Sequence, residues 1–322
     1  MPKPKIGIYW CASCGGCEEA VVDLAEDIIG VVEKVDIVLW PCAMDFKYKD
    51  VRAMPDGSIL ATLLNGAVRS EEQAEMARLL RRKSKYLIAF GSCASTGGVP
   101  ALANQFSREQ MLRFVYEESP TTVNEARVRP QLQFTEAGRT VTLPELHNLV
   151  RSLDQVVDVD YYIPGCPPTP NITKAALGAL LDGRMPPKGS VLSPDVALCE
   201  ECPRRDSKPT NVSFTEFKRP HQALYDPALC FLAQGVVCMG SATRQGCGAQ
   251  CVSGCMPCTG CFGPTDRVKD HGAKILSSLG ANLAPKEEDE IDRTLAGIPD
   301  PVGTFYRYGL AKSLLRRKVD LS

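Results

Sequence analysis

Tyr9-Trp10-Cys11-Ala12-Ser13-Cys14-Gly15-Gly16-Cys17-Glu18-Glu19 puts three cysteines on the turn that follows the first apolar run of the chain. Residues 5–10 read as a buried strand, and residues 17–30 carry Ala20, Val21, Leu24 and Ile28 at the spacing of one helix face. The cysteines therefore sit on a strand-to-helix turn. In an open parallel sheet such turns lie at the carboxyl ends of the strands, where these folds hold ligands, and Gly15-Gly16 lets the backbone come close to something bulky. Two later turns repeat the chemistry: Tyr86 to Phe90 runs into Gly91-Ser92-Cys93, and Tyr161-Tyr162-Ile163 into Pro164-Gly165-Cys166-Pro167-Pro168. Cysteines after three separate strands can meet at one edge.

Working outward, residues 35–41 and 59–64 read as further strands, and 71–83 as a charged amphipathic helix with Ala74, Ala77 and Leu80 on one side. Strands alternating with helices predict an α/β fold with a doubly wound parallel sheet. Residues 101–160 interrupt it. A helix over 111–118 precedes two alternating runs, Leu132/Phe134 and Val141/Leu143, joined by Glu136-Ala137-Gly138 as an inserted hairpin. Residues 146–153 read as a short helix, and 171–181 as the last helix of the sheet domain. Two prolines and two glycines in Gly183-Arg184-Met185-Pro186-Pro187-Lys188-Gly189-Ser190 set the boundary between domains spanning 1–185 and 190–322.

Beyond it regular elements are scarce and cysteines frequent: Cys199, Cys202, Cys230, Cys238, Cys247, Cys251, Cys255, Cys258 and Cys261. This segment is expected to fold around its metal sites. A helix is predicted over 266–279, with Val268, Ile275, Leu276 and Leu279 on one face. The tail presents Phe305-Tyr306-Arg307-Tyr308 as exposed aromatics and ends in a basic cluster, Arg316-Arg317-Lys318, read as a solvated face. There is no repeat of solenoid period and no low-complexity tract.

Composition bounds the function. The chain has 322 residues and 44% apolar content, enough for a sizeable core and two domains. Lys plus Arg at 37 against Asp plus Glu at 38 gives no field for nucleic acid or an anionic membrane. No run reaches the length of a membrane span and no signal-peptide stretch precedes the first strand, so a cytoplasmic location is expected. In a reducing compartment 15 cysteines point to metal ligands or catalytic thiols rather than disulfides. Zinc competes, since two C-x-x-C pairs can make a tetrahedral site and the chain could be a zinc-stabilised interaction protein. Against it, Cys14, Cys17, Cys93 and Cys166 belong to a domain that needs no metal staple. Dispersed glycine-rich turns suit an iron-sulfur cluster, because their N–H groups can donate to sulfides.

Cys14-Gly-Gly-Cys17-Glu, Gly91-Ser-Cys93-Ala, Pro164-Gly-Cys166-Pro-Pro, Cys230-Phe-Leu-Ala-Gln-Gly and Pro257-Cys258-Thr-Gly-Cys261-Phe-Gly-Pro together resemble the small subunit of NiFe hydrogenases, over nearly the whole chain. The Gly-Cys-Pro-Pro turn alone also occurs in the related cluster subunit of respiratory complex I. Hence a connector in a complex-I-like or other ferredoxin-linked oxidoreductase stays open. Cys199-Glu-Glu-Cys202-Pro-Arg, Cys238-Met-Gly and Gly246-Cys247-Gly-Ala-Gln-Cys251 look like the cytoplasmic group 3 enzymes, of the methyl-viologen-reducing type that feeds heterodisulfide reductase. The resemblance implies a flavodoxin-like sheet, an irregular cluster-organised C-terminal domain, and three 4Fe-4S clusters. It assigns Cys14, Cys17, Cys93 and Cys166 to the proximal cluster. Cys247, Cys251, Cys258 and Cys261 match the medial one, and Cys199, Cys202, Cys230 and Cys238 the distal one.

The implied partners are a NiFe large subunit and an iron-sulfur or flavin-containing acceptor subunit such as heterodisulfide reductase. No Asp-Pro-Cys-x-x-Cys of the large-subunit kind is present, so the hydrogen chemistry is expected in the partner and no catalytic residue here. No flavin or NAD is expected, because cysteines occupy the first turn and no Gly-x-Gly-x-x-Gly follows the first strand. Cys11 is read as a bystander thiol and Cys42 as a core residue. Cys255 competes with Cys251 for the medial site, and Cys251 is favoured by the family pattern. His147, His221 and His271 show no paired metal spacing. Glu18 and Glu19 suit the helix dipole at the start of their helix.

Overall fold

The computed structural model describes residues 2–315, so the Arg316-Arg317-Lys318 cluster lies outside the described residues. Strand β1 (Lys5–Trp10) leads through the cysteine turn into α1 (Gly16–Val22) and α2 (Asp27–Val32). The helix expected over 17–30 is thus broken, at Ala25, whose φ of 49° puts it in the left-handed region. After β2 (Asp36–Leu39) come α3 (Tyr48–Ala53), β3 (Ile59–Asn65), the short β4 (Val68–Ser70), α4 (Glu71–Lys83) and β5 (Ser84–Phe90). Ser70 caps α4: its hydroxyl accepts the Gln73 N–H while the Gln73 side chain accepts the Ser70 N–H, the reciprocal bonding that fixes a helix start.

From β5 the chain enters α5 (Ser92–Thr96), α6 (Arg108–Arg113) and the hairpin of β6 (Gln133–Glu136) and β7 (Arg139–Thr142). Residues 146–153, expected as a helix, form β8 (Leu146–Arg151), antiparallel to β4. Pairing with a strand far upstream overrides the local pattern here. Strand β9 (Tyr161–Ile163) and α7 (Pro170–Leu181) complete the sheet domain.

The main sheet is parallel throughout, in the order β2-β1-β3-β5-β9. This is the flavodoxin-like doubly wound order, which leaves a crevice at the carboxyl edge where the connections diverge. Alternate residues supply two faces. Ile6, Ile8, Leu63, Ile88 and Phe90 pack under α1 and α7, while Tyr9, Leu64, Leu87 and Ala89 pack under α4. Both faces are covered, as a parallel sheet requires.

Past residue 190 the described residues of the second lobe form short helices, α8 (Gln250–Ser253), α9 (His271–Gly280), α10 (Glu288–Leu295) and α11 (Pro301–Phe305). The helix expected from 266 begins at His271, where the Asp270 side chain caps it by accepting the Ala273 N–H. The lobe has apolar packing besides its cysteines: Phe214, Phe217, Phe231, Met239 and Ile275 share one cluster with Ala101 and Val150 of the first lobe. Phe305 and Tyr306, expected outside, are buried in it. His271 is buried too, and burial pushes its pKa down to about 4, so it stays neutral beside Thr243.

A buried cation fastens the second lobe to itself. The Arg244 side chain is 2% exposed, lies 3.1 Å from Asp195 and also pairs with Asp266, and donates to the carbonyls of Ser193 and Pro264. Replacing it strands two carbonyls and leaves two carboxylates without their cation. Arg244→Ala is expected to cost roughly 3 kcal/mol of stability, read as a lower anaerobic denaturant midpoint; an unchanged midpoint would contradict this role.

Candidate metal centres

The turns after β1, β5 and β9 converge at the carboxyl edge of the sheet. Gly91 N–H donates to the Ile163 carbonyl at 2.8 Å and Ser92 N–H to the Gly165 carbonyl at 2.7 Å, which locks the second turn onto the third. Gly91 has φ 85° and a β-carbon there would overlap the Cys17 sulfur, so only glycine lets the two turns approach. Cys14, Cys17, Cys93 and Cys166 gather around this edge. Burial pushes the Cys17 thiol far up, with Cys93, Cys166 and Cys14 adding to the effect, and pushes Cys93 up to about 12, with Cys166 and Cys14 adding. Cys166 is raised by burial and by Cys14. Cys14 itself is exposed, so one corner of the group opens to the surface.

A second group lines a cavity of about 220 Å³ in the wall between the lobes: Cys247, Cys251, Cys258 and Cys261, with Cys166 also on the wall. Burial raises the Cys261 thiol to about 12, offset in part by the Cys166 N–H and reinforced by Cys247, Cys166 and Cys251. Cys258 is raised by burial and by Cys238. Cys255 is not among the lining residues; it is exposed, with φ 60°.

The third group is Cys199, Cys202, Cys230 and Cys238. Burial lifts Cys238 to about 11, against N–H donors from Gly240 and Cys258, and lifts Cys199 against the charge of Lys208. The Ser207 hydroxyl accepts the Cys230 N–H at 2.7 Å and holds that loop.

Clustered thiols, several of them held protonated by burial, are matched to a cationic centre, which takes the place of the protons and cancels the mutual repulsion of the thiolates. Among the described residues no three Cys, His, Asp or Glu side chains converge as the ligands of a single ion do. A cuboidal cluster asks for wider spacing, one thiolate at each iron corner. The donor sets fit such a cluster in residue type, number and N–H supply.

Three side chains outside the groups have settled places, and one of them departs from its sequence reading. Cys42 is exposed rather than packed in the core, because the chain leaves β2 into a surface turn. Cys11 is buried on the α4 side of the sheet, away from the cysteine group, and burial raises its thiol to about 12. Glu18 does lie in the first turn of α1, but it is buried, accepting hydrogen bonds from Trp40 Nε1 and from Asn65 Nδ2, the latter at 2.6 Å. Burial raises its pKa against those two bonds. Two further residues escape motif reading: Ser92, whose hydroxyl donates to the Cys261 carbonyl, and Glu201, whose carboxylate accepts the N–H groups of Gly246 and Gly248. Nothing in their spacing announces either contact.

Residues 14–180 match the family model described as NADH ubiquinone oxidoreductase, 20 Kd subunit. The iron-sulfur subunit of the F420-non-reducing hydrogenase of Archaeoglobus profundus is 37% identical over 318 residues, covering 98% of each chain. The corresponding F420-non-reducing hydrogenase subunit of Methanothermobacter thermautotrophicus is 35% identical, covering 98% of this chain and 97% of its own. Among solved structures, a chain of the recombinant NiFeSe hydrogenase from Desulfovibrio vulgaris Hildenborough superposes with a TM-score of 0.54 at 15% identity, over 83% of this chain and 95% of that one, a likeness of fold.

Exposure sorts the leftover thiols. Brief alkylation of the anaerobically purified protein is expected to label Cys42 and Cys255 at least about tenfold faster than Cys11, which should react only on unfolding. Peptide mass spectrometry reads the order, and rapid labelling of Cys11 in the folded protein would contradict its burial.

Proposed function

The chain belongs to the family of F420-non-reducing hydrogenase iron-sulfur subunits, the small subunits of NiFe hydrogenases, and we propose that it is the electron relay of such a complex, carrying three 4Fe-4S clusters. The observation that carries this reading is the grouping of the cysteines. Fifteen free cysteines, less Cys11, Cys42 and Cys255, make three tetrads, and Cys166 of the first shares a wall with the second. In this reading Cys14, Cys17, Cys93 and Cys166 hold the proximal cluster, Cys247, Cys251, Cys258 and Cys261 the medial, and Cys199, Cys202, Cys230 and Cys238 the distal. When bound, such clusters take up and release single electrons.

The chain's own residues bind, insulate and tune. The thiolates supply ligands, the buried walls exclude water, and N–H groups such as those of Val99 and Gly240 donate to ligand sulfurs. Four thiolates at every site concentrate negative charge, which favours low potentials. Hydrogen oxidation itself falls to the large subunit. Trp10 and Val99, which flank the proximal turns, are 40% and 46% exposed, an apolar surface suited to cover by that partner. Electrons would leave at the distal end to an iron-sulfur or flavin-containing acceptor, such as heterodisulfide reductase. No helix among the described residues is long and apolar enough to cross a membrane, and we place the complex in the cytoplasm. The connector reading rests on the family model's description, but that match stops at residue 180, whereas the curated relatives extend over both lobes.

Iron, acid-labile sulfide, zinc and copurifying nickel in the anaerobic complex test the reading together: iron and sulfide are expected in proportion to three tetrads, with nickel in the partner. Zinc in place of iron would overturn it, and a large partner without nickel would favour the connector. Cys93→Ser should remove the proximal cluster's paramagnetic signal and abolish hydrogen-dependent reduction of every acceptor; full activity in that variant would refute the assignment.

The medial ligands can be tested separately. If Cys251 is the fourth ligand, Cys251→Ala should give a 3Fe-4S signal in the oxidised protein while Cys255→Ala leaves the spectrum unchanged. A 3Fe signal from Cys255→Ala instead would reverse the ligand choice.

A further inference from the structure

Glu201 belongs by sequence to the distal motif, Cys199-Glu200-Glu201-Cys202, yet its carboxylate is committed to the medial one. Oε1 accepts the Gly246 N–H at 2.9 Å and the Gly248 N–H at 3.1 Å, the two amides that bracket Cys247. The same oxygen lies 3.9 Å from the Cys247 sulfur. Gly246 and Gly248 both have positive φ, which turns these amides toward the carboxylate and lets one oxygen take both. The neighbouring Glu200 does something different: it is half exposed and pairs with Arg205 at 2.9 Å. Glu201 is therefore a carboxylate held by neutral donors against a sulfur that becomes a thiolate when it binds iron.

We propose that Glu201 is the positioning residue that fixes the Cys247 loop and, by its negative charge beside that sulfur, holds the medial cluster at low potential. The inference rests on the relay reading, with Cys247 as a medial ligand. Adding an electron to a centre next to a fixed negative charge is disfavoured, and the partly buried site screens that charge less than bulk water would. The transfer concerned is a single electron, received from the proximal side and passed to the distal side, with no bond made or broken. A carboxylate reaching from one ligand motif to the next also ties the geometry of the two sites together.

Charge and scaffold can be separated by substitution. Glu201→Gln keeps an oxygen able to accept both glycine amides and removes the charge; Glu201→Ala removes both. Glu200→Gln changes a neighbouring charge that makes neither contact. Each variant is purified as the complete complex under anaerobic conditions, iron and sulfide are counted, and the medial signal is followed by paramagnetic resonance in a redox titration. The expected result is a full complement of iron in Glu201→Gln, with reduction of the medial cluster favoured about tenfold, an upward shift of about 59 mV for one electron. Glu200→Gln should leave the medial potential where it was, and Glu201→Ala should lose medial iron. An unchanged medial potential in Glu201→Gln, an equal shift in Glu200→Gln, or loss of the medial cluster from Glu201→Gln would each overturn the proposal. Absence of any medial cluster from the unsubstituted complex would instead refute the relay reading on which it stands.

Discussion

Ser92 is where the two lobes are held in register. Its N–H bonds the Gly165 carbonyl at 2.7 Å, its hydroxyl bonds the Cys261 carbonyl, and its own carbonyl accepts the Thr96 hydroxyl at 3.0 Å. One buried serine thus joins the turn after β5, the turn after β9 and a cysteine turn of the second lobe. Buried polar groups must find partners, so this junction fixes positions that apolar packing alone would leave free to slide. A comparable joint lies further on: the Cys258 N–H donates to the Cys238 sulfur at 3.4 Å while Met239 N–H donates to the Cys258 carbonyl at 2.9 Å. At the second joint a cysteine of one group touches the next group through the backbone, and at the first the serine beside Cys93 touches the backbone of Cys261. For a relay, whose rate depends on the separation of its centres, such joints matter more than the strength of either bond.

The electrostatics of the cysteines impose the second constraint. Eight of the twelve grouped thiols are pushed above their ordinary pKa by burial, and neighbouring thiols add to the effect in each group. In the metal-free chain burial favours the neutral form of those eight. A cationic centre reverses the balance, because it stabilises all four thiolates at once. The sheet domain has independent cores on both faces and can carry that burden without metal. The second lobe has an apolar cluster as well, but one shared with Ala101 and Val150 across the boundary, so its order is linked to the sheet domain as well as to its ligands.

Much of this was legible in the sequence. Buried apolar runs and their intervening helices are local signals, and the strand order follows from few alternatives once the pattern is parallel. The C-x-x-C spacings and the Gly-Ser-Cys and Gly-Cys-Pro-Pro turns are equally local, whereas the division of the cysteines into three groups came from the resemblance to a family and not from spacing. The misreadings share one cause. Residues 146–151 form a strand because residues 68–70 lie alongside, Phe305 and Tyr306 are buried because the second lobe folds back over them, and Cys42 is exposed because the chain turns away after β2.

The sequence by itself determined the parallel α/β architecture and the family, because each depends on residues close together in the chain or on an ordered set of short motifs. Only the tertiary structure decided that Cys251 lines the cavity between the lobes while Cys255 does not, and that Glu18 is buried against Trp40 and Asn65. It alone placed Ser92 against Cys261 and Glu201 against the amides around Cys247, contacts 169 and 45 residues apart in the chain. Those contacts are made by side chains whose local patterns are ordinary. Their partners are chosen by where the backbone returns, which no spacing along the chain records.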